Sequence, residues 1–150
     1  MKRTKLLPPY DEQGRTNFPA RNLPGVYLIY KEGKATPFGK APNVLRYVGF
    51  GSRDVYKALY RHFQVWNDRQ AEAGDRGPRT VYRVRAGVKV RVIYCNTPAQ
   101  ARELEKALIL KHQPPDNPDK LELYELTEAG EEMAQQGMDA DFVENMEAPF

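Results

Sequence analysis

The chain has 150 residues, enough to bury a core as one domain without covalent staples. Its single cysteine, Cys95, excludes an internal disulfide framework and fits a reducing compartment, and no run reaches the ~18 apolar residues of a membrane helix. The net charge of +3 conceals a division: up to Lys120 there are 23 basic and 11 acidic side chains, a net +12, whereas residues 121–150 carry nine acids and no base.

Residues 1–22 contain four basic side chains before Asn17 and three prolines without a period, and are expected as a basic extended arm. The basic start lacks the apolar run of a signal peptide, so a cytoplasmic location is expected. Val26-Tyr27-Leu28-Ile29-Tyr30 is β-branched and aromatic and bounded by Pro24-Gly25 and Lys31-Glu32-Gly33, which predicts a strand. Val44-Leu45-Arg46-Tyr47-Val48-Gly49 predicts a second. Between them, residues 31–43 hold two prolines and two glycines and are expected as a long hairpin loop, a flap facing substrate. Asp54 is a helix N-cap, after which Val55, Leu59, Phe63 and Trp66 repeat on one face.

Residues 67–80 are polar, with Arg69, Arg76 and Arg79, and read as a loop. Val88, Val90, Val92 and Tyr94 alternate with Lys89, Arg91, Ile93 and Cys95, a third strand with one buried face, and 80–85 are expected to extend it as a hairpin partner. Thr97 and Gln100 form a capping box with Pro98 at the first helical position, and Pro114-Pro115 ends that helix. Residues 121–150 read as an acidic tail with a weak helical signal near 125–136. The expected domain spans 23–120: a small α/β unit with a mainly antiparallel sheet of three or more strands flanked by helices.

Glu105 is out of place on its helix. At 100° per residue it falls within the apolar stripe of Ala101, Leu104, Leu108 and Ile109, while Glu103 and Lys106 face the other way. A carboxylate turned toward a core costs several kcal/mol unless it is paired or bound to a metal. It is therefore either salt-bridged to an arginine of the sheet or a ligand to a divalent cation. Tyr27 and Tyr47 lie on neighbouring strands, either as ordinary sheet tyrosines or as two phenols of a site. Gly49-Phe50-Gly51 forms a turn where backbone can approach phosphate.

Taken in order, Gly25-Val26-Tyr27, Tyr47-Val48-Gly49, Leu104-Glu105 followed by Ala107-Leu108-Ile109, and Asn117 after Pro114-Pro115-Asp116 resemble the GIY-YIG nuclease family, from about Leu23 to about Asn117. The resemblance implies a GIY-YIG-like domain that hydrolyses DNA with one Mg2+ or Mn2+ ion held by Glu105, leaving 5′-phosphate and 3′-hydroxyl ends. It implies that Tyr27 is the general base toward water, that Tyr47 orients water or phosphate, and that the Asn117 amide braces the tyrosine strand or a metal-bound water.

Family members commonly carry an arginine four residues before a histidine on the helix after the second tyrosine motif. Here the histidine is His62 and the earlier position is Ala58. Arg61 is the first candidate to replace that cation, Lys57 the second, and Arg53 in the Gly51-Ser52-Arg53 turn the third; with Gly49, Lys57 and Arg53 form the expected substrate-binding set. His62 either shuttles a proton or bonds phosphate, or is a core histidine; His112, two turns after Glu105, is a further hydrogen-bonding candidate. The expected function is a metal-dependent endonuclease with weak sequence specificity, acting on single-stranded or structured DNA. The alternative is a binding module that keeps the scaffold and does not cut. Substrate contacts are expected from the arm, the flap, the 67–80 loop, and Tyr56 and Tyr60 if these stack on bases.

Overall fold

The computed structural model of the chain describes residues 1–33, 36–39, 42–63, 87–117 and 124–144. The expected 67–80 loop with its arginines, the 80–85 hairpin partner and Trp66 lie outside the described residues. Among the described residues five strands form one mixed sheet: β1 (Lys2–Arg3), β2 (Gly25–Glu32), β3 (Asn43–Gly51), β4 (Val88–Tyr94) and β5 (Asp141–Phe142). Their order across the sheet is β3-β2-β4-β1-β5. The pairs are antiparallel except β1 with β5, which is parallel.

Three α-helices flank the sheet among the described residues. α1 (Val55–Tyr60) is capped by the Asp54 carboxylate, which accepts from the Tyr56 N–H, and runs into a single 3-10 turn at Arg61–Phe63. α2 (Pro98–His112) starts on the expected capping box: Thr97 accepts from the Gln100 N–H, and Gln100 Oε1 accepts from the Asn96 N–H at 2.8 Å. It ends at Gln113, in the left-handed region, so the stop precedes the two prolines by one residue. α3 (Glu128–Met138) is capped by Thr127.

Strand alternation divides the core in two. Tyr27, Ile29, Val88, Val90, Val92 and Tyr94 face α1 with Val55, Leu59 and Phe63. Val26, Leu28, Val48, Ile93 and Cys95 face α2 and α3 with Ala101, Leu104, Leu108 and Ala134. β4 was expected to bury one face; from Val92 to Cys95 it is buried on both, because α2 and α3 cover the second face.

Several expected boundaries change: Gly49-Phe50-Gly51, expected as a turn, is the paired end of β3. Residues 1–22 are packed along the domain rather than projecting as an arm. Lys2 and Arg3 pair with Tyr94 and Ile93, Leu7 exchanges two backbone hydrogen bonds with Val90, and Phe18 is fully buried. The widely spaced apolar residues Leu7, Tyr10, Phe18 and Leu23 all pack on the α1-side core, which a search for periodicity does not detect. Residues 124–144 likewise belong to the fold and are not a free tail. α3 seats Ala134 in the core, and β5 adds a strand beside β1, with the Val143 N–H donating to the Arg3 carbonyl at 3.0 Å.

The β2–β3 hairpin is longer in strand and shorter in loop than expected, since pairing runs to Glu32 with Asn43. Its ladder slips between Ile29 and Tyr30, which pair with Tyr47 and Leu45, so Arg46 is the extra residue of a β-bulge beside Tyr47.

Candidate functional site

Period-two alternation puts Tyr27 and Tyr47 on the same face of β2 and β3. Their ring centroids are 6.0 Å apart. Tyr27 stands opposite Gly49, and the end of its ring lies over that glycine: a Cβ at Gly49 would overlap the Tyr27 phenol end. The glycine of the second motif is therefore the space into which the first tyrosine reaches, and it directs the Tyr27 hydroxyl across the outer strand β3. His62, in the 3-10 turn after α1, completes a three-ring cluster. Its ring centroid is 4.9 Å from Tyr47 and 5.5 Å from Tyr27, and its Nε2 shares a hydrogen bond of 2.8 Å with the Tyr27 hydroxyl. His62 is only 3% exposed, so the histidine is both buried and bonded to a site tyrosine.

Burial pushes the Tyr27 phenol well above its ordinary value of 10, and the neighbouring Tyr47 and Glu105 push in the same direction. The Arg61 guanidinium pulls the other way. Tyr27 is thus a neutral phenol at pH 7 in this environment, and a proton reaches or leaves it through partners. Glu105 is partly buried on α2, and burial raises its carboxyl to about 7 despite the opposing charge of Arg102. No ion pair to Glu105 occurs among the described residues. Among the described residues the sheet-arginine salt bridge, one of the two readings of its place on the helix, is absent. Tyr27 and Glu105 sit on opposite faces of the sheet by element, yet the Glu105 charge registers on Tyr27.

A desolvated carboxylate without a cation is an incomplete charge pair, and a divalent ion would complete it. Among the described residues no three His, Cys, Asp or Glu side chains cluster to hold a metal. A cation at this position would have Glu105 as its one protein carboxylate and fill its shell with water and phosphate oxygens, as Mg2+ commonly does. The donor set fits such an ion.

Asn117 acts on the tyrosine strand. Its Oδ1 accepts from the Val48 N–H at 2.8 Å and its Nδ2 donates to the Val48 carbonyl at 2.7 Å, so one amide takes both outward backbone groups of the residue after Tyr47. Of the two expected roles, it performs the bracing one. Asp116 reinforces it: its N–H donates to the Arg46 carbonyl at 2.9 Å, and its carboxylate accepts from Arg46 Nη2 at 2.9 Å and Nε at 3.1 Å.

The cationic candidates separate. Arg61, Lys57 and Arg53 are all exposed, and the Arg61 charge is among the largest influences on Tyr27. Ala58 is half-buried against the α1-side core. His112 is exposed at the end of α2, and burial of part of its ring lowers its pKa. Tyr60 is not available for stacking on bases: it is core, donating to the Pro9 carbonyl at 2.6 Å. Tyr56 is half-buried under the Arg21 guanidinium, 3.8 Å from its ring centre. Sequence reading passed over Arg102, whose spacing of three from Glu105 on one helix is the signal, and the Arg46–Asp116 clamp, which depends on a bulge that no local pattern announces.

No protein-family model matches the chain, and neither a curated protein nor a solved structure does.

Proposed function

We propose that the chain is a divalent-metal-dependent DNA endonuclease of the GIY-YIG kind. The observation that carries this reading is the partly buried Glu105 carboxylate, without a salt bridge among the described residues, whose charge registers on Tyr27 of a largely buried Tyr27–His62–Tyr47 cluster that also feels Arg61. A cation bound at Glu105 would neutralise charge on the scissile phosphate and on the oxygen that leaves it.

The residues of the chain do the rest. Water attacking phosphorus gives up a proton to the Tyr27 oxygen as the Tyr27 proton passes to His62 Nε2, so the phenol relays without carrying full negative charge. This refines the expectation of Tyr27 as a base in its own right, which its burial opposes. Tyr47 holds the far side of the cluster, Arg61 offers a fixed cation to phosphate, and Asn117 keeps β3 in register beneath both. Exposed basic side chains on α1 and its preceding turn favour backbone contact over base reading, and hence weak sequence preference with single-stranded or structured DNA as substrate.

The test is incubation of plasmid and single-stranded circles with Mg2+ or Mn2+ beside an EDTA control. Cleavage dependent on metal is expected, and Glu105→Gln should abolish it while DNA binding persists. Glu103→Gln, on the exposed face, should change little; equal loss from both substitutions would remove Glu105 from the site.

Ala58 favours a second reading, a nucleic-acid-binding module that does not cut, because the position of the expected arginine is an alanine packed on the core. If the wild type is inert with every metal and substrate while Ala58→Arg cuts, that reading replaces the first.

A further inference from the structure

We propose that Phe38, at the apex of the β2–β3 hairpin, is a stacking wedge for an unpaired nucleobase. The proposal rests on the nucleic-acid reading above and adds the DNA form it would engage. Phe38 is 99% exposed. The other exposed aromatics described carry a cationic lid: Arg3 lies over Phe142 at 4.2 Å and Lys106 over Tyr124 at 4.4 Å. Phe38 has no such cover among the described residues.

The turn is built to present it. Thr36 and Gly39 exchange two backbone hydrogen bonds of 2.9 and 3.0 Å, the Phe38 N–H donates to Thr36 Oγ1 at 3.3 Å, and that hydroxyl donates to the Gly39 carbonyl at 3.3 Å. Pro37 fixes φ at the first corner, and Gly39 closes the turn at φ 130°, which a side chain would resist. An apolar ring held on a closed turn loses little conformational entropy when it stacks.

Charge indicates the partner. Lys31 is exposed at the base of the hairpin, and the sequence adds Lys34 and Lys40 against one acid, Glu32, between 31 and 43. A flat apolar ring on a lysine-rich segment of the sequence suits a base with its phosphates. An anionic membrane shares that charge, but one ring is a weak anchor where stable attachment takes two signals. The hairpin also continues the two strands that carry Tyr27 and Tyr47. Phe38 is five residues from Asn43 and Asn43 four from Tyr47, so the Phe38 and Tyr47 Cα atoms lie at most ~31 Å apart.

The test uses the full chain in EDTA, so that cutting plays no part. Binding is measured by anisotropy on a labelled single strand and on the duplex of the same length. Phe38→Ala should weaken single-strand binding about tenfold, within the range of one lost base stack. Duplex affinity and the salt slope should not change, Phe38→Trp should retain affinity, and Phe38→Leu should not. The proposal is overturned if Phe38→Ala binds single strands like wild type, if both DNA forms lose equally, or if Phe38 governs binding to phosphatidylserine vesicles instead. Wild type that binds single strands through Phe38 yet never cuts with metal would sink the endonuclease reading and keep this one. Metal-dependent cutting with a single-strand affinity indifferent to Phe38 would do the reverse.

Discussion

Glu105 is held in the fold at about 7 against its ordinary 4.5, and this fixes the sign of a pH effect. Below 4.5 the carboxyl is protonated in folded and unfolded chains alike and costs nothing. Between 4.5 and 7 the unfolded chain ionises first, so stability falls as pH rises, and above 7 the full penalty of about 2–3 kcal/mol stands. Glu105→Gln should therefore raise Tm in EDTA at pH 8 by several degrees and leave it nearly unchanged at pH 4. Adding Mg2+ at pH 8 should raise the Tm of wild type and not of the variant. A Tm gap that ignores pH would remove the desolvated carboxylate as its cause. Arg61 gives a second residue-level prediction, since its charge is among the largest influences on Tyr27. Arg61→Ala should lower the cleavage rate roughly 10²-fold, the size of a lost charge-stabilising donor, with Lys57→Ala and Arg53→Ala costing less. If cleavage is indifferent to Arg61, the phosphate cation lies elsewhere.

Among the elements, α2 and α3 depend on a close approach. A Cβ at Gly137 would come within 2.6 Å of Leu104 Cδ1, and Leu104 is fully buried. Replacing glycine by alanine inside a helix ordinarily stabilises by about 1 kcal/mol. Here Gly137→Ala should instead destabilise by about 1–3 kcal/mol through overpacking, measurable by urea denaturation. A gain in stability would mean that the helices separate at no cost. Where a local signal existed, elements were legible: β2, the start of α2 at Thr97 and the cap of α1 at Asp54 each follow from a few adjacent residues. Glu105, out of place in its stripe, was legible for the same reason. The two-residue strands β1 and β5 and the seating of Phe18 were not, because they come from long-range pairing that leaves no period. His62 was open between core and site; the distinction dissolves, since its burial and its bond to Tyr27 are one fact.

For the molecule as a whole, the charge division has a different meaning once residues 124–144 are placed. The acidic segment was expected as a tail, and an acidic tail can compete with phosphate for a basic surface. It is instead a helix and a strand. Lys111 Nζ donates to Gln135 Oε1 at 3.3 Å, Lys2 faces Asp141 at 3.6 Å, and Arg3 Nε donates to the Ala140 carbonyl at 2.7 Å. These exposed contacts contribute little singly, whereas Ala134 and β5 are part of the core and sheet. Truncation after Lys120 should therefore abolish a cooperative thermal transition rather than simply tighten DNA binding. A truncated chain that melts sharply near the wild-type Tm would restore the tail reading. Binding by the intact chain should weaken steeply with salt, in line with +12 up to Lys120.

The Asp116–Asn117 clamp also bears on self-association. Among the described residues β3 is the outermost strand of the sheet, and the outer side of such a strand is a template onto which a second chain can add a strand. The clamp occupies that template at Arg46 and Val48 with groups from its own chain. Loosening it, as Asn117→Ala would, frees two outward backbone groups beside an exposed Val44. The same asparagine that keeps the tyrosine strand in register thus also guards the monomer against edge-to-edge oligomers, and light scattering of Asn117→Ala on mild heating should show aggregation at temperatures where wild type remains dispersed.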